Sequence, residues 1–103
     1  MATLYIAEFD GITMANPGIA GQVANGAPIA EQTVSIGGTS TQSGNAFNAS
    51  TRIIRVHTDA ICSIALGTNP TATASKMRLA ADQTEYFGVP PGASYKIAVI
   101  SNT

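Results

Sequence analysis

The sequence has few charged residues, one cysteine, one histidine and no tryptophan. Charged residues make up 11% of the chain, against about 25% in an average soluble domain. The net charge of −1 lacks the basic excess by which proteins bind nucleic acid. With Cys62 alone, no disulfide forms within the chain. No basic region precedes an apolar segment at the N-terminus, and no stretch approaches the ~18 apolar residues of a membrane span. We therefore expect neither a secretion signal nor a membrane segment.

The two side chains best suited to catalysis, His57 and Cys62, lack partners at a useful spacing. Cys62 lies among apolar residues in Ala60–Ile64, which predicts a small buried hydrophobe. His57 and Asp59 fall on one face of a predicted strand, about 6.5–7 Å apart, too far for the hydrogen bond that orients a catalytic imidazole. Ser63 completes no better arrangement, and the carboxylates show no metal-ligand spacing. We expect no enzymatic activity, no metal and no cofactor.

Short segments of alternating apolar and polar residues, separated by Gly, Pro, Asn, Thr and Ser, occupy much of the chain. They recur at intervals of about ten residues, and no apolar period of 3.6 residues extends over three turns. This pattern predicts an all-β fold, an antiparallel β-sandwich or a jelly-roll-like barrel. The predicted strands are Thr3–Phe9, Glu31–Ile36, Arg52–Thr58, Ala60–Leu66, Met77–Ala81, Thr84–Val89 and Tyr95–Ser101.

The chain is long enough for one domain, and its composition divides that domain into two parts. Residues 1–50 hold the first strand and a loop-rich region, whereas residues 51–103 form the body of the sandwich. The stretch from Asp10 to about Ala30 carries several turn signals but is too apolar for a solvated linker. We expect it to form an extended arm that lies on the same subunit or on a neighbour. The aggregation-prone segment Lys96–Ile100 should lie at the centre of its sheet or be covered.

Low charge combined with 45% hydrophobic residues is typical of a subunit in an assembly rather than of a free monomer. Arg52 and Arg55, with Lys76 and Arg78, would form a basic patch if their strands are neighbours, but a solvated face paired with Asp59, Asp82 or Glu85 is the favoured interpretation. The tyrosines most often cover a sheet edge or an interface, and they are alternatively a platform for sugars. The candidate interface residues are Tyr5, Phe9, Ile12, Ile19, Val23, Ile29, Arg52, Arg55, Arg78, Tyr86 and Tyr95.

The segment Thr51–Ala72, together with Met77–Ala81 and Glu85–Pro90, resembles a group of small bacteriophage virion proteins. The resemblance covers about the C-terminal half and lies in pattern and composition. It implies a structural component of the particle, a decoration or cement protein that binds the major capsid protein or other virion proteins. Such a protein would be made in the host cytoplasm, act as a homo-oligomer (a trimer or a dimer) and be located in the virion. The alternatives are a tail, neck or fibre-base component, and a carbohydrate-binding β-sandwich module.

Overall fold

The structure is a computed structural model that describes the backbone of residues 2–16, 19–24 and 26–103, and the side chains of residues 2–11 and 26–103. Within these residues the chain forms ten β-strands and no helix, which confirms the all-β prediction. The strands are β1 (Thr3–Phe9), β2 (Ile12–Asn16), β3 (Ile19–Ala24), β4 (Ala30–Ser35), β5 (Thr41–Gln42), β6 (Ile53–Thr58), β7 (Cys62–Gly67), β8 (Met77–Leu79), β9 (Thr84–Gly88) and β10 (Lys96–Ser101).

Eight of these strands form two four-stranded antiparallel sheets that pack as a sandwich. The first sheet has the order β4-β1-β6-β9 and the second has the order β5-β10-β7-β8. Alternate residues of each strand point inward, so apolar side chains from both sheets meet in a single core. The buried members of this core are Leu4, Ile6, Val34, Ile36, Phe47, Ile54, Val56, Cys62, Ile64, Leu79, Val89, Ile97 and Val99.

The C-terminal strand lies where its composition predicts. β10 is between β5 and β7 in the second sheet, and Ile97, Ala98 and Val99 are fully buried. The turn before it includes Pro91 and Gly92, and Gly92 has a φ of 74°, which the third position of a type II turn requires. Because β10 lies between β5 and β7, this apolar, aggregation-prone strand is paired along both of its edges.

The predicted division near residue 51 is not a division of the sandwich. β1 lies between β4 and β6 in the first sheet, so residues on both sides of that boundary pair in one sheet. β5, in a polar stretch with no predicted strand, joins the second sheet through Gln42, which pairs with Ala98. The pairing of β1 with β6 over their whole length makes the N-terminal strand part of the body.

The stretch from Asp10 to Ala30 contains a two-stranded antiparallel sheet, which the prediction of an irregular arm missed. β2 follows β1, β3 precedes β4, and β1 pairs with β4, so the β2–β3 ribbon continues the β1–β4 hairpin beyond the first sheet. The amide of Ile29 donates to the carbonyl of Glu8 at 2.8 Å where hairpin and ribbon meet. The extents of 47 × 25 × 21 Å are those of a molecule elongated by such a projection.

Candidate functional site

The solvent-facing side of the first sheet, here called the outer face, brings three predicted interface residues together. Tyr5 lies on β1, Arg55 on β6 and Tyr86 on β9, and all three project to the same side because strand residues two apart share a face. The register places the outer-face residues in two neighbouring rows, Thr33–Tyr5–His57–Thr84 and Glu31–Ala7–Arg55–Tyr86.

A shallow groove crosses the outer face above Ala7. Its volume is about 550 Å³, and Tyr5, Glu31, Arg55 and His57 are among the residues that line it. The short side chain of Ala7 lies between the longer side chains of Glu31 and Arg55 in the same row, which leaves the surface concave at that point. The groove is therefore a consequence of one small residue in the middle strand of three.

The two charged groups that flank the groove are of opposite sign and are free to meet a partner. Neither Glu31 nor Arg55 forms an ion pair or a side-chain hydrogen bond with the part of the chain that the structure describes. His57, beside them, is more constrained. Its Nδ1 lies 2.7 Å from Thr84 Oγ1, and its Nε2 lies 4.0 Å from Asp82 Oδ1. The imidazole is thus held by its hydrogen bond with Thr84, whereas the two flanking charges face solvent.

The residues that a search for a catalytic triad would group with His57 lie elsewhere. Asp59 Oδ1 accepts a hydrogen bond of 2.7 Å from the Thr3 amide and so ties the start of β1 to the end of β6. Ser63 is fully buried in the second sheet, where its Oγ accepts a 2.7 Å hydrogen bond from Asn102 Nδ2. The three side chains do not converge.

Cys62 is fully buried in the core, as its apolar neighbours in the sequence predict. Burial raises the pKa of the thiol, the nearby charge of Asp59 raises it further, and the hydrogen bond to Thr58 Oγ1 acts in the opposite direction. The thiol therefore stays protonated at neutral pH and behaves as a small hydrophobe.

The remaining candidate interface residues are dispersed. Phe9 is only 7% exposed and offers almost no surface, and Tyr95 packs against the core cluster. Ile29 is 40% exposed near the base of the ribbon, and Arg52 is exposed before β6. The side chains of Ile12, Ile19 and Val23 lie outside the described residues.

The basic patch, the less favoured of the two arrangements considered for these side chains, does not form among the described residues. Arg55 is on β6 in the first sheet and Arg78 is on β8 at the edge of the second sheet. Two strands in different sheets are not neighbours, so the outer face of the first sheet includes Arg55 but neither Lys76 nor Arg78. Arg78 instead directs its Nε toward the Thr103 carbonyl at 3.4 Å.

Glu8 is a buried carboxylate whose burial and structural role were not predicted from the sequence. It is 2% exposed, and its Oε1 accepts hydrogen bonds of 2.7 Å from the Asn48 amide and from Thr51 Oγ1. The sequence does indicate this burial, because strand alternation places Glu8 on the same face as the apolar residues Leu4 and Ile6. The carboxylate joins the 48–51 turn to β1 and has a structural role.

No family model, no curated protein and no solved structure matches the chain. Within the described residues, no three His, Cys, Asp or Glu side chains are grouped as metal ligands would be. Nor does any described segment form a helix with the length and apolar character needed to cross a membrane.

Proposed function

We propose that the chain is a non-enzymatic structural component of a bacteriophage particle, which binds and stabilises the capsid shell as a decoration or cement protein. It acts as a small homo-oligomer, and its partners are the major capsid protein or other virion proteins. The resemblance of the C-terminal half to small virion proteins supports this role, and so does the low charge. The observation that carries the proposal is the β2–β3 ribbon.

The ribbon is built as a contact element. The sequence from Gly11 to Ala30 contains no charged residue. β2 and β3 pair only with each other in a separate two-stranded sheet, so each has one edge without a strand partner among the described residues. An isolated two-stranded sheet is marginally stable in water, and a third strand or a packing surface stabilises it. A neighbouring subunit of a shell supplies such a surface.

Repetition makes such a contact effective. A shell presents the same surface many times by symmetry. An oligomer that engages two or more copies at once binds far more tightly than one contact does. A chain in which only 11% of the residues are charged also loses little solvation when its surface is covered. Modest ribbon contacts, repeated over a shell, are therefore sufficient for attachment.

The test compares two methionine-to-lysine variants for binding to undecorated shells of the phage that encodes the chain. Met14 lies on β2 in the ribbon, and Met77, 51% exposed, lies on β8 of the sandwich. In co-sedimentation, the wild type and Met77→Lys should bind the shells and Met14→Lys should not. Circular dichroism checks that both variants are folded.

Failure of the wild type to bind shells, or equal binding by both variants, would contradict the proposal.

Copy number separates a shell role from a tail role. A decoration protein is present at on the order of hundreds of copies per particle, whereas a tail, neck or fibre-base component is present in a handful, set by the symmetry of each structure. Quantitative mass spectrometry of purified particles measures it.

The second candidate is a carbohydrate-binding module, which the groove beside Tyr5 favours. Aromatic rings stack on sugar faces, and Glu31 and Arg55 on either side of Ala7 offer an acceptor and donors for hydroxyl groups. Tyr95 packs against the core and takes no part. If this candidate is correct, the wild type binds on a glycan array and Tyr5→Ala does not, while circular dichroism shows that the variant is folded.

A further inference from the structure

The outward edge of β9 carries backbone groups, at three alternate residues, that have no hydrogen-bond partner among the described residues. β9 pairs with β6 on one side only, and it forms an edge of the first sheet. The Val89 amide donates to the Arg52 carbonyl at 2.9 Å, and the Thr58 amide donates to the Gln83 carbonyl at 3.2 Å. In an antiparallel ladder the hydrogen-bonded pairs alternate, so residues 83, 85, 87 and 89 face β6. The N–H and C=O groups of Thr84, Tyr86 and Gly88 therefore point away from the sheet.

The other three edges of the two four-stranded sheets are short, charged or covered. β5 has two residues, and β8 has three, with Arg78 in the strand and Lys76 immediately before it. β4 carries Glu31, and the Gln32 side chain binds both backbone groups of Asn45, at 3.1 and 3.2 Å, which places another segment alongside it. Charge, shortness and coverage are the usual protections of an edge strand. On β9 the three residues whose backbone groups point outward, Thr84, Tyr86 and Gly88, are uncharged.

We propose that β9 pairs antiparallel with β9 of a second copy of this chain, about a two-fold axis at Tyr86. In this register Tyr86 lies opposite Tyr86 of the second copy, and Thr84 lies opposite Gly88. Each of these pairs joins residues whose backbone groups point outward, and each pair exchanges two hydrogen bonds. A two-fold interface requires a self-complementary surface, and the alternation along β9 has this property.

The side chains are compatible with the same register. On the outer face the two Tyr86 rings become direct cross-strand neighbours, an arrangement that aromatic pairs favour. Tyr86 is 55% exposed in the single chain. Gly88 leaves room beside Thr84, because an added Cβ there would meet nothing closer than the Arg52 carbonyl at 3.8 Å. On the inner side Glu85 lies opposite Phe87, so no like charges face each other.

The inference deepens the homo-oligomeric part of the proposed function, and it selects a dimer. A five-residue strand pair buries less than the ~1,000 Å² typical of a stable specific interface, so the isolated dimer is weak. We expect a dissociation constant on the order of 10–100 μM, corresponding to a modest free energy of association. Each dimer carries two β2–β3 ribbons instead of one, so it can contact the shell at two places at once.

Charge variants at Tyr86 test the register. Sedimentation velocity should show a concentration-dependent dimer for the wild type and for the control Met77→Lys. Tyr86→Lys and Tyr86→Glu each place like charges directly opposite at the axis, so each alone should raise the dissociation constant at least about tenfold. An equimolar mixture of the two variants should restore the dimer, because lysine then faces glutamate.

The mixture keeps the test independent of folding, since a misfolded variant is not rescued by another. Amide exchange of the wild type should also slow with concentration at Tyr86 and Gly88. A wild type that stays monomeric up to about 1 mM would overturn the proposal. So would a dimer that both Tyr86 variants leave unchanged, or a dimer whose added protection lies in β2 and β3. Shell binding is measured separately with Met14→Lys, so failure of either proposal is recognised by itself.

Discussion

Replacing Glu8 tests whether the buried carboxylate stabilises the sandwich. Its Oε1 accepts from the Asn48 amide and from the hydroxyl of Thr51, which is fully buried. A hydrogen bond to a charged group contributes about 1.5–3 kcal/mol, and a buried donor left without an acceptor costs about 1–3 kcal/mol. We expect Glu8→Ala to lower the free energy of unfolding by roughly 3 kcal/mol. For a domain of this size that is a fall in Tm of roughly 15 °C.

Two further variants separate the charge from the contacts. Glu8→Gln keeps an acceptor oxygen in nearly the same place, so it should cost only about 1 kcal/mol. Glu31→Ala removes an exposed carboxylate from the neighbouring strand, and a surface change of this kind should stay within about 0.5 kcal/mol. Urea unfolding followed by circular dichroism measures all three, and an unchanged m-value shows that the unfolded state is comparable.

A double-mutant cycle assigns the energy to the contact itself. Thr51→Val removes the hydroxyl donor and keeps the shape of the side chain. Combined with Glu8→Ala, which removes the acceptor, it should reveal a coupling free energy of about 1 kcal/mol, because the two residues share one hydrogen bond. If Glu8→Ala and Glu31→Ala destabilise equally, or if the cycle shows no coupling, the structural role given to Glu8 is refuted.

Three other predictions follow from buried or constrained positions. The native state binds the Cys62 thiol proton more tightly than the unfolded chain does, so the free energy of unfolding should not depend on this group below its ordinary pKa of 9.0 and should fall above it. Cys62→Ala should lose that pH dependence. An identical pH profile for the variant and the wild type would contradict the reasoning. Gly92→Ala should lower the free energy of unfolding, measured in urea, by about 1 kcal/mol, because Gly92 has a φ of 74°. The control Gly38→Ala, at a residue with open space around it and no positive φ, should leave that free energy unchanged or raise it slightly. Amide exchange should be slowest across Ile97–Val99, since β10 is paired along both edges, and fast exchange there would contradict its central place.

Alternation in the sequence was sufficient to predict most of the sandwich. The predicted strand at Thr3–Phe9 has the observed bounds, and the one predicted at Tyr95–Ser101 begins one residue early. Side chains that alternate between core and solvent leave a period of two in the sequence, which is why these strands were found. β5, with two polar residues, leaves no such period and was missed.

Pairing between distant segments could not be predicted. The turn signals in residues 10–30 indicated an irregular arm, yet β2 and β3 pair because β1 and β4 bring their ends together. The same limit applies to the outer face. Tyr5, Arg55 and Tyr86 are far apart in sequence, and only the order β1-β6-β9 places them on one surface. For the same reason the sequence could not decide whether Arg55 and Arg78 adjoin, and they do not, since β6 and β8 are in different sheets.

The continuity of the ribbon with the β1–β4 hairpin has a mechanical consequence. A force applied to the ribbon along its axis acts on β1 and β4 in the direction of their own length. The two strands are pulled the same way, so the hydrogen bonds that join β1 to β6 take the load and resist together as a shear joint, instead of opening one after another. Leu4, Ile6 and Val34 anchor those strands in the core, so a pull on the ribbon is transmitted directly into the interior of the sandwich.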